Sequence, residues 1–413
     1  MPAAKAESDA TTIKVSKETQ AKLAALGKYG ETMDQIVQRL TTQAKGLEDV
    51  VAGQSSICFI DGHEGRLLYR GYDIVDLAAR SNYEETAYLL WNGHLPTVSE
   101  LANFTADLAA KRAIPKEVVS IITTLPRNCD AMDALRVGVA ALGLFDDPMY
   151  SQQERAMSIA SKIGTVVAAI HRHKHDQDIV PPEEELGFAS DFLRMVTGEV
   201  PSQQDSRVMD ALLILHADHE LNASTFTARV IASTLSDPYS AITGAVGALK
   251  GPLHGGANEK VVEMTDEIGT PDRAERYIEA KLVNKQKING FGHRVYKIMD
   301  PRAAILKEME RRFVKGEEKQ AFDTLGEVEE IMKAEKNLYP NVDLYSGLAL
   351  RHIGIPTYLF TPVFAVGRAP GWLAHVMEQY SDNRIIRPRA EYVGPERSEY
   401  VPLDKRPPVA KRA

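Results

Sequence analysis

Gly290-Phe-Gly-His-Arg-Val-Tyr-Lys-Ile-Met-Asp-Pro-Arg302 is the stretch on which the reading of this chain turns. Gly290 and Gly292 free the backbone for close approach to a ligand, and His293 follows them directly. A dinucleotide fingerprint needs a third glycine at position 295, where Val295 stands. The Rossmann reading fails there. Lys297 and Asp300-Pro-Arg302 come next, and then a helix.

Outward from this stretch the pattern is helical on both sides. Thr97-Val-Ser-Glu100 is a capping box ahead of an apolar-periodic run, and Ser206 opens another through Leu212, Leu213 and Leu215. Helix stops recur at Gly93, Pro126, Gly198, Pro238, Gly269 and Gly354. Strand-like runs are short: Ser56–Ile60, the turn Asp61-Gly62 and Leu67–Tyr69 predict one hairpin over residues 56–69. The repeated β-branched runs of a parallel sheet are missing. The expected fold is all-α with a minor β element.

Composition sets the outer limits. The 413 residues carry 49 Lys+Arg against 57 Asp+Glu, a net charge of −8, which argues against a general nucleic-acid binder. At 44 % hydrophobic and 26 % charged the chain is globular, with length for two or three domains at roughly 150 residues each. Cys58 and Cys129 are too few and too far apart for a disulfide scaffold or a thiolate metal site, which fits a reducing compartment. No segment reads as a membrane span: Ile353–Gly367 is too short and holds Pro356 and Pro362. The N-terminus lacks the apolar stretch of a secretory signal, so a cytoplasmic location is expected.

Residues 1–46 form a separate expected module. Thr11–Val15 reads as a short strand, with amphipathic helices over about 17–26 and 32–42 and an apolar set of Leu23, Leu26, Met33, Ile36, Val37 and Leu40. The pattern resembles a ribbon-helix-helix module, some of which bind DNA. The plainer expectation is an extension that packs on the main body or on a partner subunit, because one such unit buries too little alone. The tail from Pro402 reads as a loose arm.

Several polar groups recur in apolar or glycine-rich settings. His171-Arg-His173-Lys-His175 alternates histidines with cations that repel a metal ion. His216-Ala-Asp-His219 ends an apolar helix at i, i+3 spacing, suited to zinc or to a polar pocket. His254 lies in Gly251-Pro-Leu-His-Gly-Gly256 ahead of a helix opened by Asn258, whose positive end would help keep the ring neutral. Asp343 sits among Val342, Leu344 and Tyr345, either as a carboxylate made more basic by burial or in a plain helix N-cap that Asn341 or Asp343 could serve. Arg368 and Arg387 lie beside apolar neighbours and could clamp a small dicarboxylate.

These motifs in this order resemble the citrate synthase family. Leu68-Tyr-Arg-Gly-Tyr-Asp73, His216–Glu220, Gly251–Asn258, Gly290–Arg302, Asn341–Gly347 and Arg387–Gly394 carry the match over about residues 47–398, and the ending resembles the short bacterial and archaeal type. The resemblance implies a large domain of residues 47–256 and 367–413 and a small one, 257–366, that closes on the substrates. It implies a homodimer whose Arg387 reaches the partner's site.

The implied reaction condenses acetyl-CoA with oxaloacetate and hydrolyses the thioester, with no metal and no prosthetic group. Asp343 would be the base, His254 would stabilise the enolate, and His293 would serve the ketone oxygen. His219, Arg302, Arg368 and Arg387 would hold the dianion, with Arg70 a further contact. Coenzyme A would lie along Lys287, Ile288, Asn289, Gly290 and Phe291, with Lys297 near a phosphate. The alternatives are a 2-methylcitrate synthase using propionyl-CoA and, in another class, a DNA-binding regulator with this body as its sensor.

Overall fold

The computed structural model describes residues 14–26, 31–41, 45–47 and 50–406. They fall into two compact units, one ending at Gln54 and one beginning at Ser55. In the first, Lys17–Ala25 and Met33–Thr41 are helices, as the periodicity predicts, and Ser16 caps the former by accepting from the Thr19 N–H. Of the expected strand, residues 11–13 lie outside the described residues, and Lys14 and Val15 are irregular.

The second unit is helical around one small sheet, which matches the expected class. Cys58–Asp61, Arg66–Tyr69 and Tyr72–Asp73 form an antiparallel sheet in that order, with Cys58 opposite Tyr69 and Asp61 opposite Arg66. The third strand has two residues, too few for any period to announce it. Leu67 and Tyr69 alternate into the core, and the Tyr69 hydroxyl donates to the Asp218 carbonyl.

The long helix Phe360–Ser381 is the axis of the unit and is buried over most of its length. It packs against Gln152–Lys174, Gln203–His216, Ala223–Ala232 and Pro238–Leu249. Gly367 and Gly371 share one face at i, i+4 spacing. A Cβ at Gly371 would stand 2.0 Å from the Ala217 carbonyl oxygen, and one at Gly367 3.1 Å from His216 Cβ. These two positions let the end of Gln203–His216 press onto the axis, next to Arg368.

Three local expectations need correction. The Gln203–His216 helix is capped by Ser202, whose side chain accepts from the Asp205 N–H, so Ser206 lies inside it. That helix ends at His216, so His219 is a loop residue and the two imidazoles do not share a helical face. Asn258 is the second residue of Ala257–Ile268, not its cap. Thr97 and Glu100 do form the reciprocal capping box.

Gly371→Ala forces the axis away from the Ala217 carbonyl. The expected loss is about 1–3 kcal/mol, the range for overpacking a dense core. Thermal melting checks it, and an unchanged melting temperature would contradict the close approach.

Candidate active site

The site grows from a loop stitched to a helix start. Gly290 and Gly292 have φ of 84° and 74°, which L side chains rarely adopt, and a Cβ at Gly290 would lie 2.7 Å from Leu344 Cδ1. The Gly292 N–H donates to the Tyr339 carbonyl at 3.0 Å and the Asn341 N–H to the Gly290 carbonyl at 2.9 Å. Asn341 Nδ2 donates to the Gly292 carbonyl at 3.0 Å. Those bonds tie the His293 loop to the segment that leads into Asp343.

Asp343 is the first residue of Asp343–His352. Its N–H donates to Asn341 Oδ1 at 3.0 Å, and no side-chain cap closes the helix. The N-cap reading of its carboxylate therefore fails. Burial pushes the Asp343 pKa up to about 6 against the opposing pull of Arg302.

Each histidine has a defined environment. His293 Nδ1 accepts from the N–H groups of Val295 and Tyr296 at 3.0 and 3.2 Å, so its proton sits on Nε2. Its ring lies 5.1 Å from that of His219. The Ser224 N–H donates to His254 Nε2 at 3.4 Å, which makes Nε2 the acceptor and leaves the proton on Nδ1, while the Ser224 hydroxyl donates to Asn222 Oδ1 at 2.8 Å. The helix start that His254 faces is that of Ala223–Ala232, a correction to the expected one. Burial lowers the His254 and His293 pKa values to about 4, and that of His219 well below its ordinary value, with Arg302 adding to the shift at His219 and His293.

The buried arginines are anchored from behind. Asp300 caps the helix Pro301–Phe313 and takes Arg302 Nε at 3.0 Å and Nη2 at 2.7 Å. Arg302 and Asp300 are 3 % and 0 % exposed, so this pair is a desolvated one. Arg368 Nε donates to the His216 carbonyl, and its guanidinium lies 4.9 Å over the Phe364 ring. Burial lowers the Arg368 pKa to about 10, which leaves it charged at neutral pH. The charges of Arg302 and Arg368 both act on His219, that of Arg368 on His254, and that of Arg302 on His293 and Asp343.

The other expected residues have surroundings of their own. Arg70 spends Nε and Nη2 on the Leu90 carbonyl at 3.0 and 2.8 Å and turns Nη1 to Ser56, which ties the hairpin to the helix Tyr83–Asn92 that follows it. Arg387 is exposed on the chain beyond the long helix. Lys287 and Lys297 are exposed, Asn289 is half-buried, and Ile288, Gly290 and Phe291 are buried. The charge of Lys287 reaches Asp343. His171 and His175 share the Tyr358 hydroxyl, and His173 Nε2 meets the Leu125 carbonyl. Among the described residues no group of three or more His, Cys, Asp or Glu could hold a metal ion, and no helix is long and apolar enough to cross a membrane.

Sequence reasoning missed Asp300, Ser224 and Phe364. The Asp-Pro-Arg helix start was a usable signal for the first. Ser224 lies 30 residues from His254 and gave none.

Comparison with known proteins now bears on this arrangement. The family described as "Citrate synthase, C-terminal domain" matches residues 46–389. The chain belongs to the citrate synthase family. "Citrate synthase 2" of Bacillus subtilis (strain 168) is 48 % identical over 373 residues, 88 % of this chain and 100 % of that one. "2-methylcitrate synthase 1" of Corynebacterium glutamicum is 40 % identical over 88 % of this chain and 98 % of its own. The Thermoplasma acidophilum citrate synthase, solved as a ternary complex with carboxymethyl coenzyme A and oxaloacetate, superposes with a TM-score of 0.84 at 36 % identity, covering 88 % of this chain and 100 % of that one. The match to the citrate synthase family begins at residue 46.

The two tautomers are directly testable. Imidazole nitrogen NMR is expected to show His293 as the neutral Nε2–H form from pH 6 to 8, since its pKa of about 4 keeps it uncharged there. A charged ring at pH 6, or a proton on Nδ1, would contradict the site geometry.

Proposed function

We propose that this chain is a citrate synthase, an acyltransferase that condenses acetyl-CoA with oxaloacetate and hydrolyses the thioester to citrate and CoA. The observation that carries the reading is the combination of one carboxylate made basic by burial with two neutral imidazoles of fixed tautomer. Taking a proton from a thioester methyl group needs a base strengthened by its surroundings and a donor for the enolate oxygen.

In this reading the Asp343 carboxylate accepts a methyl proton of acetyl-CoA while His254 Nδ1–H stabilises the oxygen of the enolate. The methyl carbon then bonds to the ketone carbon of oxaloacetate. His293 Nε2–H donates to the ketone oxygen as it becomes an alkoxide. Arg302 and Arg368, with His219, hold the two carboxylates, which supplies charge complementarity in a low-dielectric site. Water then cleaves the thioester.

The same reading assigns coenzyme A to Lys287–Phe291 with Lys297 at a phosphate. It makes residues 257–366 the small domain, whose closure excludes water while the enolate exists. It places the enzyme in the cytoplasm as a homodimer, with Arg387 completing the partner's site; the exposure of Arg387 and its place beyond the axis helix support that role. The Corynebacterium relative favours propionyl-CoA as a second reading, because one methylene is worth only about 1–3 kcal/mol of discrimination.

Thiol release from acetyl-CoA and from propionyl-CoA, each with oxaloacetate, decides between the two. Faster release from acetyl-CoA is expected, lost about 10²–10⁴-fold in Asp343→Ala; preference for propionyl-CoA would move the protein to the second reading. Because a protonated Asp343 cannot accept the methyl proton, kcat/KM for acetyl-CoA should fall as pH drops through about 6 and level off above it. Rates independent of pH between 5 and 8 would remove Asp343 as the base. Mixed and re-equilibrated Arg387→Ala and Asp343→Ala subunits should recover activity that neither homodimer has. No recovery would place Arg387 in its own subunit or outside the site.

A further inference from the structure

Behind the loop that carries His219, a second set of charged groups crosses the interior. Glu378 accepts from the Ser56 N–H at 2.8 Å and from Arg229 Nη1 at 2.8 Å. Arg229 Nε donates to Gln379 Oε1 at 3.1 Å, and its Nη1 stands 3.3 Å from His375 Nδ1. Arginine has only donors, so His375 Nδ1 is the acceptor and its proton sits on Nε2. That Nε2 stands 3.2 and 3.4 Å from the two oxygens of Asp218. The Glu220 N–H also donates to Asp218 Oδ2, at 3.2 Å.

This arrangement costs more than packing alone would require. His375 and Asp218 are both 0 % exposed, and a buried charge is tolerated only when paired and hydrogen-bonded. It joins three elements: Arg229 from Ala223–Ala232, His375, Glu378 and Gln379 from the axis helix, and Asp218 from the loop after Gln203–His216. Asp218 immediately precedes His219, whose buried Nε2 has no hydrogen-bond partner among the described residues. The Asp218 charge also acts on Arg368. The glycine at 371 leaves room for this carboxylate, since a Cβ there would lie 2.7 Å from Asp218 Oδ1.

We propose that Arg229, His375 and Asp218 form a positioning relay for the oxaloacetate site. Arg229 fixes the His375 tautomer, and His375 fixes Asp218. Asp218 in turn sets the His219 loop and supplies counter-charge to Arg368. None of the three touches substrate in this account; they act through His219 and Arg368. The inference rests on the citrate synthase reading.

The test compares His375→Gln with His375→Leu, measuring KM for each substrate, kcat and melting temperature. A glutamine amide can donate to Asp218 while its oxygen accepts from Arg229, whereas leucine does neither. Losing a hydrogen bond to a charged group is worth about 1.5–3 kcal/mol, so KM for oxaloacetate should rise about 10–100-fold in the leucine variant, with KM for acetyl-CoA unchanged. The glutamine variant should stay near wild type. If His375→Leu does not fold, Asp218→Asn, nearly isosteric, should show the same selective rise. An oxaloacetate KM that stays at the wild-type value, or one that rises equally with glutamine, would overturn the relay and leave a mere structural strut. Wild-type enzyme is assayed first: no thiol release from it sinks the citrate synthase reading itself, while normal turnover with unmoved KM values sinks only the relay.

Discussion

Two guanidinium groups taken out of water set the terms for the whole molecule. Arg302 and Arg368 are 3 % and 1 % exposed. A buried charge is held only by excellent partners, and each arginine has one at its back: Asp300 for Arg302 and the His216 carbonyl for Arg368. Those anchors hold both charges where they act on His219, with Arg368 also acting on His254 and Arg302 on His293. The same two charges, added to burial, keep the three imidazoles neutral, so they donate hydrogen bonds without adding positive charge. Asp343 lies in the same field, and there burial outweighs the attraction of Arg302 and raises its carboxyl pKa to about 6.

The fold exists to bring those groups together from distant parts of the chain. Gly367 and Gly371 let the end of Gln203–His216 seat on the axis helix, which places the His216 carbonyl against Arg368. Gly290 and Gly292 let the His293 loop turn back on Tyr339 and Asn341, which places it beside the start of the Asp343 helix. In both cases a missing side chain, at a position where a Cβ would collide or strain the backbone, decides the geometry of a polar group several residues away.

Much of this was legible in the sequence because it is local. The helical class, the 56–69 hairpin and the capping box at Thr97 announce themselves in short patterns, whereas His219, His254, His293, Arg302, Asp343 and Arg368 stand out only through the order of their motifs and the resemblance it carries. What escaped is what long-range contact creates. Ser224 sets the His254 tautomer from 30 residues away, and Arg229 reaches His375 across 146. The reading of His216 and His219 as one helical face failed because the helix stops at His216, where no glycine or proline marks the end. Arg70 shows the same limit: its motif is local, but the Leu90 carbonyl that its guanidinium meets lies 20 residues on and leaves no mark in that motif.

A crystal structure with oxaloacetate bound tests the central claim most directly. The account predicts the dianion with its carboxylates on Arg302, Arg368 and His219 and its ketone oxygen within hydrogen-bond distance of His293 Nε2. A ligand bound away from the two buried arginines, or a ketone oxygen facing His293 Nδ1, would contradict it.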